Sequence, residues 1–166
     1  MRYLIVCGGK IDKEFGLNEI KTDGIDAIIA ADSGMDFLYE NGVTPDIIVG
    51  DFDSATTKAL DFFERKGQTE IHRLNPIKDD TDTEYAIRLA IREGARSIVV
   101  LGATGSRIDH VLGNISLLGI GLESGTDISI IDTNNRIRMS DKPVTIEKSA
   151  QYGRFVSLIA VTDDNE

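Results

Sequence analysis

The stretch Asp46-Ile47-Ile48-Val49-Gly50-Asp51-Phe52-Asp53-Ser54 places an unbroken apolar run directly before a pair of carboxylates. Such a run reads as a strand buried on both faces, the pattern of a parallel sheet covered by helices. Asp51 and Asp53 then fall at the strand's carboxyl end, where open parallel sheets hold their ligands. The same reading extends outward. Residues 3–7 form a first strand, broken at Gly8-Gly9-Lys10. Ala27-Ile28-Ile29-Ala30-Ala31 ends at Asp32-Ser33-Gly34. Ile71-His72-Arg73-Leu74 ends at Asn75-Pro76, and Ser97-Ile98-Val99-Val100-Leu101 ends at Gly102.

Helical stretches alternate with these strands. Ser33 caps a helix running to Tyr39, and Ser54 caps one over residues 55–66 that ends at Gly67. Thr81 and Glu84 form a capping box ahead of Ala86, Ile87, Ala90 and Ile91, which share one face. A further helix is expected from about Ile108 to Leu118, with Gly119, Gly121 and Gly125 marking its end and a boundary. After residue 125 short β patterns follow: Ile128–Ile131, Ile137–Met139, Val144–Ile146 and Phe155–Val161. The expected fold is therefore a Rossmann-like α/β catalytic domain over residues 1–125. A small, incomplete all-β domain follows over residues 126–166.

Bulk properties narrow the function. Across 166 residues, 18 Lys and Arg against 28 Asp and Glu give a formal charge of −10, which argues against nucleic-acid binding. Cys7 is the sole cysteine, so no intrachain disulfide or cysteine-based zinc cluster forms, and its apolar setting marks a buried thiol. No apolar run reaches membrane-spanning length and the first strand is too short for a secretory signal, so the expected location is cytoplasmic, without membrane contact. No phosphate-binding loop of the Gly-x-x-x-x-Gly-Lys type occurs, nor a dinucleotide fingerprint.

Five carboxylates are expected on one rim. Asp32, Asp51 and Asp53 end strands; Asp82 and Asp109 lie in the first turns of helices. Crowded carboxylates repel unless a cation sits among them, and Mg2+ takes hard oxygen ligands of this kind. The arrangement suits phosphoryl or pyrophosphoryl transfer. Acidic residues near helix starts also serve as plain caps, the simpler reading for Asp36 and Asp80. Lys78 and Arg107 stand beside the second and third acidic clusters, and the loop Gly102–Arg107 offers backbone N–H groups to phosphates. His110 reads either as a general base or as a structural hydrogen-bonding residue. His72, inside a strand, reads as structural. Asn114 shares a helix face with His110.

The segments Ala31-Asp32-Ser33-Gly34, Pro45-Asp46 through Ser54, Lys78-Asp79-x-Thr81-Asp82 and Gly102-x-x-Gly105-x-Arg107-x-Asp109-His110 with Asn114 run in an order that closely resembles the thiamine pyrophosphokinase family of bacterial type. The resemblance covers most of the first 118 residues. It implies transfer of the β,γ-pyrophosphoryl group of ATP to thiamine, giving thiamine diphosphate and AMP. It also implies Mg2+ and a homodimer with the site near the subunit interface. Carried over, Asp51, Asp53, Asp82 and Asp109 are the metal-binding and catalytic carboxylates. Lys78 and Arg107 engage ATP phosphates, and Asp32 and Asp46 lie at the substrate cleft. Ser33, Thr81, Thr104, His110 and Asn114 join them as ligand-binding positions. The resemblance also implies that the β region opens a thiamine-binding β-sandwich whose later strands lie beyond this chain. Two other readings stand beside it: a metal-dependent phosphohydrolase using the Asp-x-Asp pair, and a catalytically impaired thiamine- or nucleotide-binding protein.

Overall fold

The computed structural model describes residues 1–52, 57–75 and 80–162. Its strands are β1 (Arg2–Val6), β2 (Ala27–Ala31), β3 (Ile47–Gly50), β4 (Glu70–Arg73), β5 (Ser97–Leu101), β6 (Asp127–Ile131) and β7 (Arg136–Arg138). They form one sheet in the order β4-β3-β2-β1-β5-β6-β7. All pairings are parallel except β6 with β7. The chain adds strands outward from β1 to β4, then returns across the sheet to place β5 against β1. Such a reversal opens a crevice at the carboxyl ends, here between the loops after β1 and β5.

The helices are α1 (Lys13–Ile20), α2 (Gly34–Glu40), α3 (Thr57–Lys66), α4 (Asp82–Arg92), α5 (Ile108–Ser116) and α6 (Leu118–Ser124). Strand side chains alternate between two cores. Tyr3, Ile5 and Cys7 of β1 and the residue after it pack with Ala86, Ile87, Leu89 and Ala90 of α4 and with Leu118 of α6. Leu4 and Val6 face Met35 and Leu38 of α2 and Phe63 of α3. Thr81 caps α4 as expected, its Oγ1 accepting from the Glu84 amide at 3.1 Å. The reciprocal arm of the box is absent, because the Glu84 carboxylate holds Arg88 at 2.8 Å.

Several expectations are corrected. The boundary near residue 125 falls inside the sheet, because β6 continues it in register, Ser97 opposite Asp127 through Val100 opposite Ile130. Beyond Arg138 the described residues hold one short 3-10 turn, Lys148–Ala150, and neither Val144–Ile146 nor Phe155–Val161 forms a strand. No separate all-β domain is present among the described residues. Their β-forming composition meets no neighbouring strand, and a lone extended segment is not a sheet. Gly119 and Gly121 lie within α6 and do not end it; Gly125, at φ 72°, is the terminator. Ser33 precedes α2 but makes no side-chain cap, since its own backbone is already helical. The cap expected from Ser54 lies outside the described residues.

Candidate active site

The rim above β2, β3 and the start of α4 gathers three carboxylates. One oxygen from each of Asp32, Asp51 and Asp82 lies within 4.8 Å of the others. Asp32 follows β2 and Asp51 follows β3, adjacent strands joined by the Asp32 amide donating to the Val49 carbonyl at 2.7 Å. Asp82 opens α4, which crosses under both strands. The sheet order thus brings together residues far apart in sequence.

The backbone here is strained. Among the described residues, Asp32 and Phe52 are the non-glycine residues with positive φ, at 47° and 62°. Asp tolerates the left-handed region; Phe does so at a cost, and such outliers concentrate at functional sites. Gly50 makes the turn possible, because a Cβ there would stand 3.1 Å from the Phe52 ring and 3.2 Å from the Asp32 Cα.

Electrostatics point to a cation. Asp32 Oδ1 is buried without a hydrogen-bond partner among the described residues. Burial raises the Asp32 carboxyl above the usual range; the Ser33 amide opposes this, and the charges of Asp82, Asp51 and Asp36 raise it further. Octahedral Mg2+ places its ligand oxygens about 3–4 Å apart, so a small contraction of this triad accommodates the ion. An acceptor buried without a donor, among two like charges, is what such an ion satisfies.

This site yields a pH prediction. Because the folded Asp32 pKa is raised, its contribution to stability is full below the unfolded value of about 4 and is lost as pH rises through the folded value. Asp32→Asn, which tolerates the same backbone, removes that loss. The metal-free variant is therefore expected to melt above wild type at pH 7, with the gap closing in acid. Added Mg2+ should raise the melting temperature of wild type and not of the variant. Thermal melts across pH with and without Mg2+ check both.

The other expected site residues divide. Asp53 and Lys78 lie outside the described residues. Asp109 is not in the triad. It sits on the exposed first turn of α5, where Arg107 donates to it at 2.7 Å and holds its carboxyl below the ordinary range. His110 is exposed beside it. Asn114 Nδ2 donates to the Ala103 carbonyl at 2.9 Å, and Thr104 Oγ1 donates to Asp132 at 2.7 Å, so both brace the loop after β5. Asp46, expected beside the cleft, is at the opposite end of the sheet. It precedes β3, and its carboxylate accepts the Ile28 amide at 2.8 Å. Motif position alone did not separate a strand's start from its end. His72 is structural as read, lying 2.6 Å from Glu70 and 3.2 Å from the Tyr85 hydroxyl. Below the triad, Cys7 contacts the Thr83 hydroxyl at 3.4 Å, and burial pushes its thiol up to about 11. Asp132 is a residue that sequence reasoning missed; its only signal was the turn-forming Asn134-Asn135 after it.

Known proteins resemble this chain in sequence and in fold. A family profile described as the catalytic domain of thiamin pyrophosphokinase matches residues 21–130. A thiamine pyrophosphokinase of Bacillus subtilis is 35% identical over 137 residues, which are 82% of this chain and 63% of that protein. The crystal structure of thiamine pyrophosphokinase from Bacillus subtilis superposes with a TM-score of 0.71 at 32% identity, over 83% of this chain and 64% of that one. That of thiamin pyrophosphokinase from Geobacillus thermodenitrificans gives 0.68 at 30% identity, over 82% and 61%. The chain thus spans less than two thirds of the length of these relatives. Among the described residues, no helix is long and apolar enough to cross a membrane.

Proposed function

The chain belongs to the thiamin pyrophosphokinase family, and from that premise we propose that it transfers the β,γ-pyrophosphoryl group of ATP to the hydroxyethyl oxygen of thiamine, giving thiamine diphosphate and AMP. The observation that carries this reading is the Asp32, Asp51 and Asp82 triad with its buried, unpartnered Asp32 oxygen. These three residues, together with Asp53, would hold Mg2+, which would supply polarisation of the phosphoryl centre and charge neutralisation for the AMP leaving group.

The remaining residues position and neutralise. Arg107 forks onto phosphate oxygens, Lys78 adds a point charge, and the loop from Gly102 offers backbone N–H groups. Asp109, kept ionised by Arg107, accepts the hydrogen bond of the thiamine hydroxyl, takes its proton as the oxygen attacks the β-phosphorus and passes it to solvent, while the bridging oxygen leaves with AMP. His110 stands beside it, outside the proton path. Ser33 and Thr81 shape the rim, and Asn114 holds the loop.

Residues 139–162, which form no strand, supply in this reading an apolar surface on the thiamine side of the site. The reading is supported by the exposure of Phe155 (84%), Leu158 (95%) and Ile159 (85%), since folded proteins seldom leave contiguous apolar side chains uncovered. A cytoplasmic homodimer with the site near its interface completes the proposal, and solution mass measurement checks the dimer.

The decisive experiment incubates the purified chain with Mg2+, ATP and thiamine and quantifies products. Equal amounts of AMP and thiamine diphosphate are expected, and only when all three are present. Thiamine-independent AMP or phosphate release, or a phosphoryl group trapped on Asp51, would replace the proposal with a phosphohydrolase. Nucleotide binding without turnover would leave a binding protein.

A further inference from the structure

We infer that Asp132 is a positioning residue for nucleotide binding, acting through Thr104 to fix the loop after β5 in its phosphate-receiving shape. The inference rests on the proposed ATP site. Asp132 follows β6, the strand beside β5, so its carboxylate stands next to the Gly102–Arg107 loop. Oδ2 accepts the Thr104 hydroxyl at 2.7 Å and the Asn135 Nδ2 at 3.1 Å. Oδ1 accepts the backbone amides of Asn134 and Asn135, both at 2.7 Å, and the Asn135 Nδ2 at 3.0 Å. The Asp132 carbonyl accepts the Tyr152 hydroxyl at 2.5 Å, and the Arg136 guanidinium lies over the Tyr152 ring at 4.7 Å. One residue therefore ties together the loop after β5, the turn between β6 and β7, and the segment around Tyr152.

The loop has few other anchors. At its base the Gly9 amide donates to the Gly102 carbonyl at 2.9 Å, and Asn114 holds Ala103. Gly105, Ser106 and Arg107 beyond are exposed. Thr104 is thus the last braced residue before the exposed tip that carries Arg107, and Asp132 provides the brace. Burial works against the Asp132 charge, but the hydrogen bonds from Thr104, Asn134 and Asn135 outweigh it and hold the carboxyl below its ordinary range. The anchor therefore stays ionised at neutral pH. It stands beside a site that binds an anion, where a carboxylate unbound by donors would repel the ligand. Its acceptors are turned onto the Thr104, Asn134 and Asn135 donors instead.

The test uses the whole chain and Mg-ATP. Thr104→Val keeps the shape and leaves the Asn134 and Asn135 bonds to Asp132 intact; Asp132→Ala removes the anchor. Each is expected to raise the KM for ATP and the equilibrium Kd for Mg-ATP about fivefold to tenfold, the worth of one partly buried hydrogen bond. In Asp132→Ala the kcat at saturating ATP should change less than the KM. The double variant should be no worse than Asp132→Ala alone, because both act through one bond. Thr104→Ser should restore wild-type values. A merely structural role would lower the melting temperature without moving the KM for ATP. An unchanged KM in Thr104→Val overturns the inference and leaves the ATP site standing. So do additive effects in the double variant, which would make Thr104 a direct ligand contact. A wild-type chain that binds no Mg-ATP overturns both.

Discussion

Asp82→Asn is expected to lower pyrophosphoryl transfer by about 10²-fold or more, with the residual rate nearly independent of Mg2+. The size of the effect follows from where Asp82 stands. It is the first residue of α4, beside Asp32 and Asp51, so its charge is one of the three that define the cluster. The helix that carries it is anchored by other residues. Thr81 caps the helix through the Glu84 amide, and Ala86, Ile87 and Ala90 fix α4 on the sheet. Asn keeps the volume and one carbonyl oxygen, loses the charge and puts an N–H donor where the second acceptor oxygen stood. The cost to the helix is a few tenths of a kcal/mol to about 1 kcal/mol of dipole interaction, partly offset by relief of repulsion with Asp32 and Asp51. Activity and stability should therefore separate: a large loss of rate with a melting temperature near wild type. Titrating Mg2+ at saturating ATP measures the first and thermal melts the second. A variant that turns over at the wild-type rate would remove Asp82, and with it the triad, from the reaction.

The expectation that strand ends and helix starts share one rim placed Asp32, Asp51 and Asp82 together, because parallel strands buried on both faces announce themselves as unbroken apolar runs and the helices between them start where they end. Their ends are then legible without any knowledge of tertiary contacts. Side-chain direction is not legible in that way. Asp109 sits at a helix start as expected, yet Arg107 two residues earlier claims its carboxylate. The helix α1 carried no apolar stripe to read, since the residue it buries is Gly16, where a Cβ would meet the Ile11 side chain at 2.6 Å and the Phe37 ring at 2.7 Å. The placement of β6 was missed for a related reason. Gly121 reads as a break in sequence. In the structure it lies inside α6, because a Cβ there would stand 2.6 Å from the Thr126 carbonyl. With α6 unseen, nothing returned the chain to β5, and an ordinary sheet strand looked like the start of a new domain.

Gly34→Ala should be the most destabilising glycine-to-alanine change near the site, although Gly34 has an ordinary negative φ. A Cβ at this position would lie 1.9 Å from the Val6 carbonyl oxygen, 2.6 Å from the Val6 carbonyl carbon and 3.1 Å from the carbonyl carbon of Cys7. These are backbone atoms of the central strand and the residue after it, so no side-chain rotation relieves the clash. Either α2 moves away from β1 or β1 distorts. Moving α2 uncovers Met35 and Leu38, both fully buried against Leu4 and Val6. A cost of about 3 kcal/mol or more is expected, near the top of the range for overpacking, which for a chain of this length lowers the melting temperature by roughly 6–12 °C. Gly24→Ala supplies the contrast. Gly24 has φ 84° and nothing within 4 Å of its would-be Cβ, so only backbone strain opposes the change, at about 1 kcal/mol. The two substitutions add the same methyl group and should separate by several degrees in parallel melts. Equal melting temperatures would mean that α2 is not wedged against β1. The wedge also reaches the chemistry. Asp32 lies two residues before Gly34, and Ser33 sits so close to Gly8 that a Cβ there would meet its Oγ at 2.0 Å. Any shift of α2 that accommodates the added methyl group therefore carries Asp32 away from Asp51 and Asp82. The folded remainder of Gly34→Ala should show weakened Mg2+ stabilisation, whereas Gly24→Ala should keep it.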